Sequence, residues 1–530
     1  MKSRITKWAT NVAGAVAIAT SATGCTYTCD EILACVSADA TGGGSGTGGE
    51  GGAGGGPPDV CPDDPAGGPV APECGVWLSA SLGDDTQPGT QAAPVRSLTK
   101  AIQRAQVDTG RIYACGETYA GPVQVPSGIS LSGGFVCGGH GWAYAGKEKP
   151  AIIVSSEPDV PALTLLPGDE PSLWTDVEVE AADAEAPGSS SVAVFSLGAR
   201  ASFRRAHLIA GDGADGLDGL PGDHDNAPAK KGLPRNDGEN ACTADVGLGG
   251  TGLELQCEAG GVISTGGAGG DGGSGAAGGG LPGLQPPDPN DLGFGAAGQP
   301  EDAVAGTACT YGHGGAQGHS GVDGWGGKGL GSLTEAGYTG APGDDGFPGT
   351  PGQGGGGGGG SIGSPICGAK QGGAGGGAGG TGGCGGKAGQ GGGAGGSSIG
   401  IAMLGGVIRV QGVLISTGDG GRGGNGGAGQ LGGQGGLPGK GGLGFGGAGG
   451  VKSGCGGGIG GNGGNGGNGG GGLGGHSVGA LIAMGGYLEE IAPVDVWLGV
   501  KGAGGQGGNP NMPGTNGENG IPSPKLVVAP

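Results

Sequence analysis

Apolar and polar positions first fall into recognisable elements between Trp77 and Lys149. Ser97 stands where a helix N-cap belongs, and Leu98, Ala101, Ile102 and Ala105 recur on one helical face before Gly110, which predicts a short helix. Arg111–Ala114, Pro122–Val125 and Ile129–Leu131 then read as strands separated by Gly, Pro and Ser. The strand pattern returns far downstream. Ser191, Val192, Val194, Leu197, Phe203, Leu208 and Gly211-Asp212-Gly213 align on Ser398, Ile399, Ile401, Leu404, Val410, Ile415 and Gly418-Asp419-Gly420, each pair 207 residues apart. A looser third copy starts at Ser477-Val478, and Val262-Ile263-Ser264-Thr265-Gly266 repeats the end of the unit.

Between the copies the alternation gives way to a period of three, as in Gly460-Gly461-Asn462-Gly463-Gly464-Asn465-Gly466-Gly467-Asn468. Three is neither the period of a helix nor that of a strand. It is the period of an extended left-handed helix in which Gly-Gly-x leaves two bare faces for close neighbours. Glycine occupies 153 of 530 positions, against about 7% in ordinary proteins, so these segments are either side-by-side polyglycine II-like helices or flexible coil. The triplets Gly337 to Gly354 and Gly213 to His224 also look like collagen, but short runs in a single chain are poor material for a triple helix.

The residues Gly83-Asp84-Asp85, Pro88-Gly89-Thr90, Pro94, Ser97-Leu98, Ala101-Ile102, Ala105, Ile112-Tyr113, Tyr119, Val123, Gly128-Ile129, Leu131 and Gly133-Gly134-Phe135 resemble the opening of bacterial pectin-lyase-like surface proteins. That resemblance implies an all-β fold: a right-handed parallel β-helix with an N-terminal capping helix, here interrupted by long Gly-rich insertions. It does not imply an activity, since this fold carries lyases, hydrolases, adhesins and inert stalks alike.

Charge and cysteines add an address. Lys2, Arg4 and Lys7 precede a small apolar stretch, Val12 to Ala19, the layout of a secretory leader, and Ala22-Thr23-Gly24-Cys25 resembles a bacterial lipobox with Ala22 in place of the usual Leu. The competing reading is plain secretion with cleavage after Ala19. Lipidation of Cys25 leaves an even twelve of the 13 cysteines for disulfides in an oxidising compartment. The formal net charge is −22, which argues against a nucleic-acid partner. Of the charged residues, only six bases and five acids lie in 397–530, so the acidity belongs to the preceding segments.

Tests for chemistry return little. Asp84-Asp85 and Asp344-Asp345 resemble the aspartate pair of polygalacturonases, and Gly139-His140-Gly141 and Gly312-His313-Gly314 their Gly-His-Gly, but the supporting motifs are missing. Gly211 to Leu217 resembles one calcium β-roll nonapeptide; the next puts His224 where Asp belongs, and calcium needs stacked copies. His207, His224, His313, His319 and His476 share no metal-ligand spacing. No catalytic, cofactor or metal residue is therefore assigned, and no cofactor is expected. The expected organisation is a leader (1–24), a Cys/Gly/Pro-rich tether (25–76), a β-helix cap with first rungs (77–149), further rungs (150–212), Gly-rich insertions with short rung segments (213–396), a rung repeat (397–417), a Gly-rich array (418–475), and a last rung repeat with a Gly/Pro-rich tail (476–530). The expected function is a non-catalytic, lipid-anchored surface protein of the outer membrane with a structural, adhesive or matrix-display role. Its partners would be the membrane and extracellular polysaccharide. The alternative is a pectin-lyase-like polysaccharide lyase or hydrolase.

Overall fold

Three long parallel sheets carry the fold, each assembled from strands far apart in sequence. Sheet 1 runs through Val76–Leu78, Arg111–Cys115, Ser130–Gly138, Gly168–Thr175, Ala199–Arg204, Val407–Gln411 and Tyr487–Glu490; Gly141–Tyr144 pairs antiparallel on one of these. Sheet 2 runs through Thr118–Gly121, Ala151–Ser155, Val177–Glu180, His207–Ala210, Val413–Thr417 and Val494–Trp497. Sheet 3 runs through Val123–Val125, Leu163–Leu165, Ser191–Ser196, Ser398–Leu404, Ser477–Ala483 and Pro522–Val527. The chain visits the sheets in turn, the pattern of a parallel β-helix-type fold. This computed structural model describes residues 61–529 apart from 139–140, 224, 226, 235, 258–260 and 285–292.

The expected helix, α1, spans Leu98–Ala105, with the Ser97 hydroxyl accepting from Lys100 N–H and Leu98, Ala101, Ile102 and Ala105 buried. It packs its apolar face onto the core inside the coil, where Ile112, Leu131, Trp174, Phe203, Ile401, Val410 and Ile415 also meet. The 207-residue repeat is a register: Ser191 lies opposite Ser398, Val194 opposite Ile401, and Leu208 opposite Ile415. The third copy follows, with Ser398 opposite Ser477.

Two expectations fail, both for reasons of local geometry. Strand periodicity predicts that Val192 and Ile399 face one apolar core with Leu98, Ile102, Ile112, Leu131 and Ile401, but they do not join it; they belong to a second apolar cluster with Phe195, Leu333, Tyr338 and Leu481. In each copy two successive residues turn inward: Ala193 with Val194, and Gly400 beside Ile401, where an added Cβ would meet the Ile415 side chain. That slip of one position sends the preceding residue to the opposite face. Second, Ile263–Thr265 is not a rung. It pairs antiparallel with Glu254–Gln256, outside the three sheets.

The glycine segments lie side by side and bond in steps of three. In 375–396, Gly375 and Ala378 donate to Glu239 and Asn236, Gly376 and Gly379 to Gly270 and Gly267, and Gly377, Gly380 and Gly383 to Cys455, Gly458 and Gly461. Each turn therefore spends its three N–H groups on three different neighbours. Small side chains are still accommodated between neighbours, as at the buried Ala374, Ala378 and Thr381. The uninterrupted run Gly354–Gly360 is wholly buried and donates to Leu284, Gly380, His313, Leu281, Gly377, Thr310 and Gly278 at 2.8 to 3.4 Å, so no face is left for a Cβ. Disulfides Cys242–Cys367, Cys257–Cys384 and Cys309–Cys455 cross-link these segments, while Cys61–Cys74 and Cys115–Cys137 secure the first rungs.

The polar side chains of the triplets bond as well. Asp212, Asp215 and Asp218 accept backbone N–H groups from Asp419, Arg422 and Asn425, each at 2.6 Å and each 207 residues on. Asp237 and Asn240 accept from Lys440 and Leu443 at 2.8 Å with the offset reduced to 203. Asp212 and Asp215 thus serve the backbone: one oxygen of each replaces a missing main-chain partner.

Candidate functional site

A cleft lies between the outer face of sheet 3 and a hairpin, Ser332–Thr334 with Gly337–Thr339, that folds over it. It encloses about 470 Å³. Its floor comes from Gln124, Thr164 and Phe195, brought into one row by the register of three successive strands. Tyr338 from the hairpin forms a wall and donates its hydroxyl to the Leu330 carbonyl at 3.0 Å.

Two carboxylates line this cleft, Asp159 and Glu335. Asp159 accepts the N–H groups of Glu185 and Ala186 at 2.9 and 3.1 Å and has a left-handed backbone, φ 63°. It is a turn residue. A general acid and base held at fixed separation on rigid strands would be needed for glycoside hydrolysis, and Glu335 sits instead at the tip of an exposed hairpin. The cleft can hold a polar ligand against Phe195 and Tyr338.

The residues singled out by sequence are dispersed. Asp84 accepts from Thr86 N–H and its hydroxyl at 2.8 Å, and these bonds hold its carboxyl below the usual carboxylate range. Desolvation pushes the Asp85 carboxyl up, but donation from Ser97 and Arg96 outweighs it, so this acid organises the start of α1. Asp345 accepts from Gly391 N–H at 2.7 Å. His140, His224 and Cys25 lie outside the described residues. Among the described residues no group of three or more His, Cys, Asp or Glu could hold a metal ion.

Residues 81–178 match the model of a family described as Protein of unknown function (DUF1565), a family associated with β-helix proteins. The match covers α1 and the strands of the first rungs. No curated protein matches the chain, and no solved structure does. Among the described residues no helix is long and apolar enough to cross a membrane.

Sequence reasoning missed a polar cluster where sheet 1 turns into sheet 2. Asp176 and Arg205 are single-residue turns with φ 52° and 49°. The Asp176 side chain is fully buried and takes two hydrogen bonds from the Arg205 guanidinium, at 2.8 and 2.9 Å, and one from the Tyr144 hydroxyl at 2.6 Å. Arg205 also clamps Asp64 at 2.8 and 3.0 Å, fastening the segment of the Cys61–Cys74 bridge to the coil. These charges hold structure. The one available signal was a short polar residue followed by a β-branched strand.

His476 is buried under the same hairpin, 5.8 Å from the Tyr338 ring centre, and its Nδ1 accepts the Ile521 N–H at 2.9 Å. Burial pushes its pKa below the ordinary 6.5. The unfolded chain therefore binds the extra proton first. Stability conferred by neutral His476 is full above about pH 6.5 and is lost as pH falls from there through the depressed folded value. Unfolding free energies from urea titrations between pH 7 and 5 should fall with a slope of up to about 1.4 kcal/mol per pH unit. His476→Gln should flatten that slope; an unchanged slope would exclude this group as its source.

Proposed function

We propose that the protein is an exported, lipid-anchored surface protein of the cell envelope, built for display and adhesion. On this reading the coil is right-handed, α1 caps its N-terminal end, and the glycine segments form a polyglycine II-like bundle carried on the rungs. The observation that carries it is how the polar residues are used. Most of the acids that a catalytic reading would need, Asp84, Asp85, Asp159 and Asp345, accept backbone N–H groups instead, while the third residues of the glycine triplets present a repeating surface.

Cysteine arithmetic supports the anchor. Ten cysteines are paired within the described residues, and Cys25, Cys29 and Cys35 precede them. Acylating Cys25 leaves one pair over. Radiolabelled palmitate should enter the wild-type protein, and Cys25→Ala should abolish both labelling and membrane retention. A wholly soluble, unlabelled wild type would refute the anchor. A glycan array read for both retention and chain shortening separates adhesion from the rival reading, a polysaccharide lyase or hydrolase. That rival has in its favour only that Asp159 and Glu335 share one cleft.

A further inference from the structure

A second cleft, of about 610 Å³, opens on the outer face of sheet 1. Its floor is a column of outward side chains from five successive strands: Arg111, Ser130, Leu173, Ser202 and Arg409. Arg111 lies opposite Ser130, Leu173 opposite Ser202, and Ser202 opposite Arg409, while Leu173 N–H donates to the Ser130 hydroxyl at 2.9 Å. At the strand spacing of about 4.8 Å the column runs about 19 Å across the strands. Successive floor residues are therefore about one pyranose unit apart.

The charges in this cleft are unequally committed. Arg111 is spent: it donates to the Cys61 carbonyl at 2.8 Å and to Asp63 at 2.5 Å. Among the described residues Arg409 gives only its Nε to Glu489, at 2.6 Å, which leaves both terminal nitrogens as donors. Arg204 lines the same cleft, and its one ion pair among the described residues is a 3.5 Å approach to Asp64, a carboxylate already clamped by Arg205. Ser202 lies between them in register, two residues from Arg204 and directly opposite Arg409. Two guanidinium groups with unspent donors and a hydroxyl thus converge on one patch of a chain whose net charge is −22. Guanidinium donors of this kind match the planar oxygens of a carboxylate or the oxygens of a sulfate ester. Leu173 and Pro171 supply an apolar stretch of floor for a sugar ring, and Glu170 on the rim can accept from hydroxyls.

We infer that this cleft binds an acidic polysaccharide laid across the strands of sheet 1, with a uronate carboxylate or sulfate ester held between Arg204 and Arg409. The inference rests on the adhesive reading above and gives it a ligand class and a place, separate from the cleft on sheet 3. Sparse charge along the glycan suits it, because a densely charged polyanion would be repelled by the acidic remainder of the chain.

The test uses the full mature chain and titration calorimetry with a hexasaccharide carrying a uronic acid at alternate units, its carboxyl-reduced neutral counterpart, a hexasaccharide sulfated at alternate units and inorganic sulfate. The acidic hexamers should bind, weakening as salt rises, while the neutral hexamer does not. Arg409→Gln and Arg204→Gln should each weaken binding at least tenfold with unchanged thermal unfolding, Arg409→Lys should restore it only in part, and Tyr338→Ala in the other cleft should leave it intact. Sulfate alone binding as tightly as the oligomers would overturn the glycan and leave a simple anion site. Acidic-glycan binding indifferent to both arginines, or equal binding of the neutral hexamer, would overturn this site while keeping the adhesive reading. Failure of every glycan to bind would overturn both.

Discussion

Replacing Gly463, Gly464, Gly466 and Gly467 together by alanine should dissolve the glycine bundle around residues 454–475. An added Cβ at these positions would overlap the carbonyls of Cys384, His319, Lys387 and Val322 in turn, so each substitution drives a methyl group into a neighbouring main chain rather than into a yielding side chain. The hydrogen bonds from these four N–H groups to Gly433, Thr350, Gln430 and Phe347 then go with it. Amide exchange across 375–396 and 454–475 should be slow in the wild type and accelerate by orders of magnitude in the variant. If these segments were coil, alanine would merely stiffen them, and exchange would be fast in both proteins. The triplet asparagines are a milder case, though not an idle one. Asn462, Asn465 and Asn468 accept from Gly435, Gly432 and Gly429 at 2.9 Å. Changing all three to serine should cost about 0.5–1.5 kcal/mol per lost bond without unfolding the segment.

Arg205→Ala should be the most damaging single change in the coil. It removes the main partner of Asp176, whose side chain is 0% exposed, and frees Asp64 together with the segment bridged by Cys61 and Cys74. Breaking a buried pair from one side costs roughly 3–5 kcal/mol because the remaining charge stays desolvated. The guanidinium is bidentate to Asp176 and also reaches Asp64, which a lysine cannot reproduce, so Arg205→Lys should recover only part of the loss. Denaturant midpoints would decide this. A variant within about 0.5 kcal/mol of the wild type, the usual range for surface changes, would mean that the cluster is peripheral.

The parts of the fold that sequence reveals are those governed by a period. Ser97 and the spacing of Leu98, Ile102 and Ala105 announce α1, and the 207-residue repeat announces the strand register because the two copies are direct neighbours. The inward slip at Gly400-Ile401 breaks the period of two, and nothing local distinguishes Ile399 from Ile401; only the hairpin around Leu333 and Tyr338, from another part of the chain, gives Ile399 a place to be buried. Thr118–Gly121 is too short and polar to register as a strand, and it is fixed by parallel pairing with Ile152–Ser155. The candidate sites were less legible still. Arg204 and Arg409 are 205 residues apart in sequence and meet only because two rungs stack, and neither has a motif around it.

The stacking of distant rungs also sets a timetable. Strand Ser191–Ser196 lies against Ser398–Leu404, so a chain emerging N-terminus first must deliver some 200 further residues before that edge is covered. Throughout the interval three sheet edges stand bare, each a template for the wrong partner, and the intervening bundle cannot assist because its central segment, 375–396, is among the last to emerge. Contacts of such long sequence separation slow folding. The bridges Cys242–Cys367, Cys257–Cys384 and Cys309–Cys455 span 125 to 146 residues, so none of them can close before Cys367 has emerged. Maturation of this protein is therefore governed by the waiting time of a half-built coil, and the stage most open to proteolysis and aggregation falls largely before its long-range bridges can close.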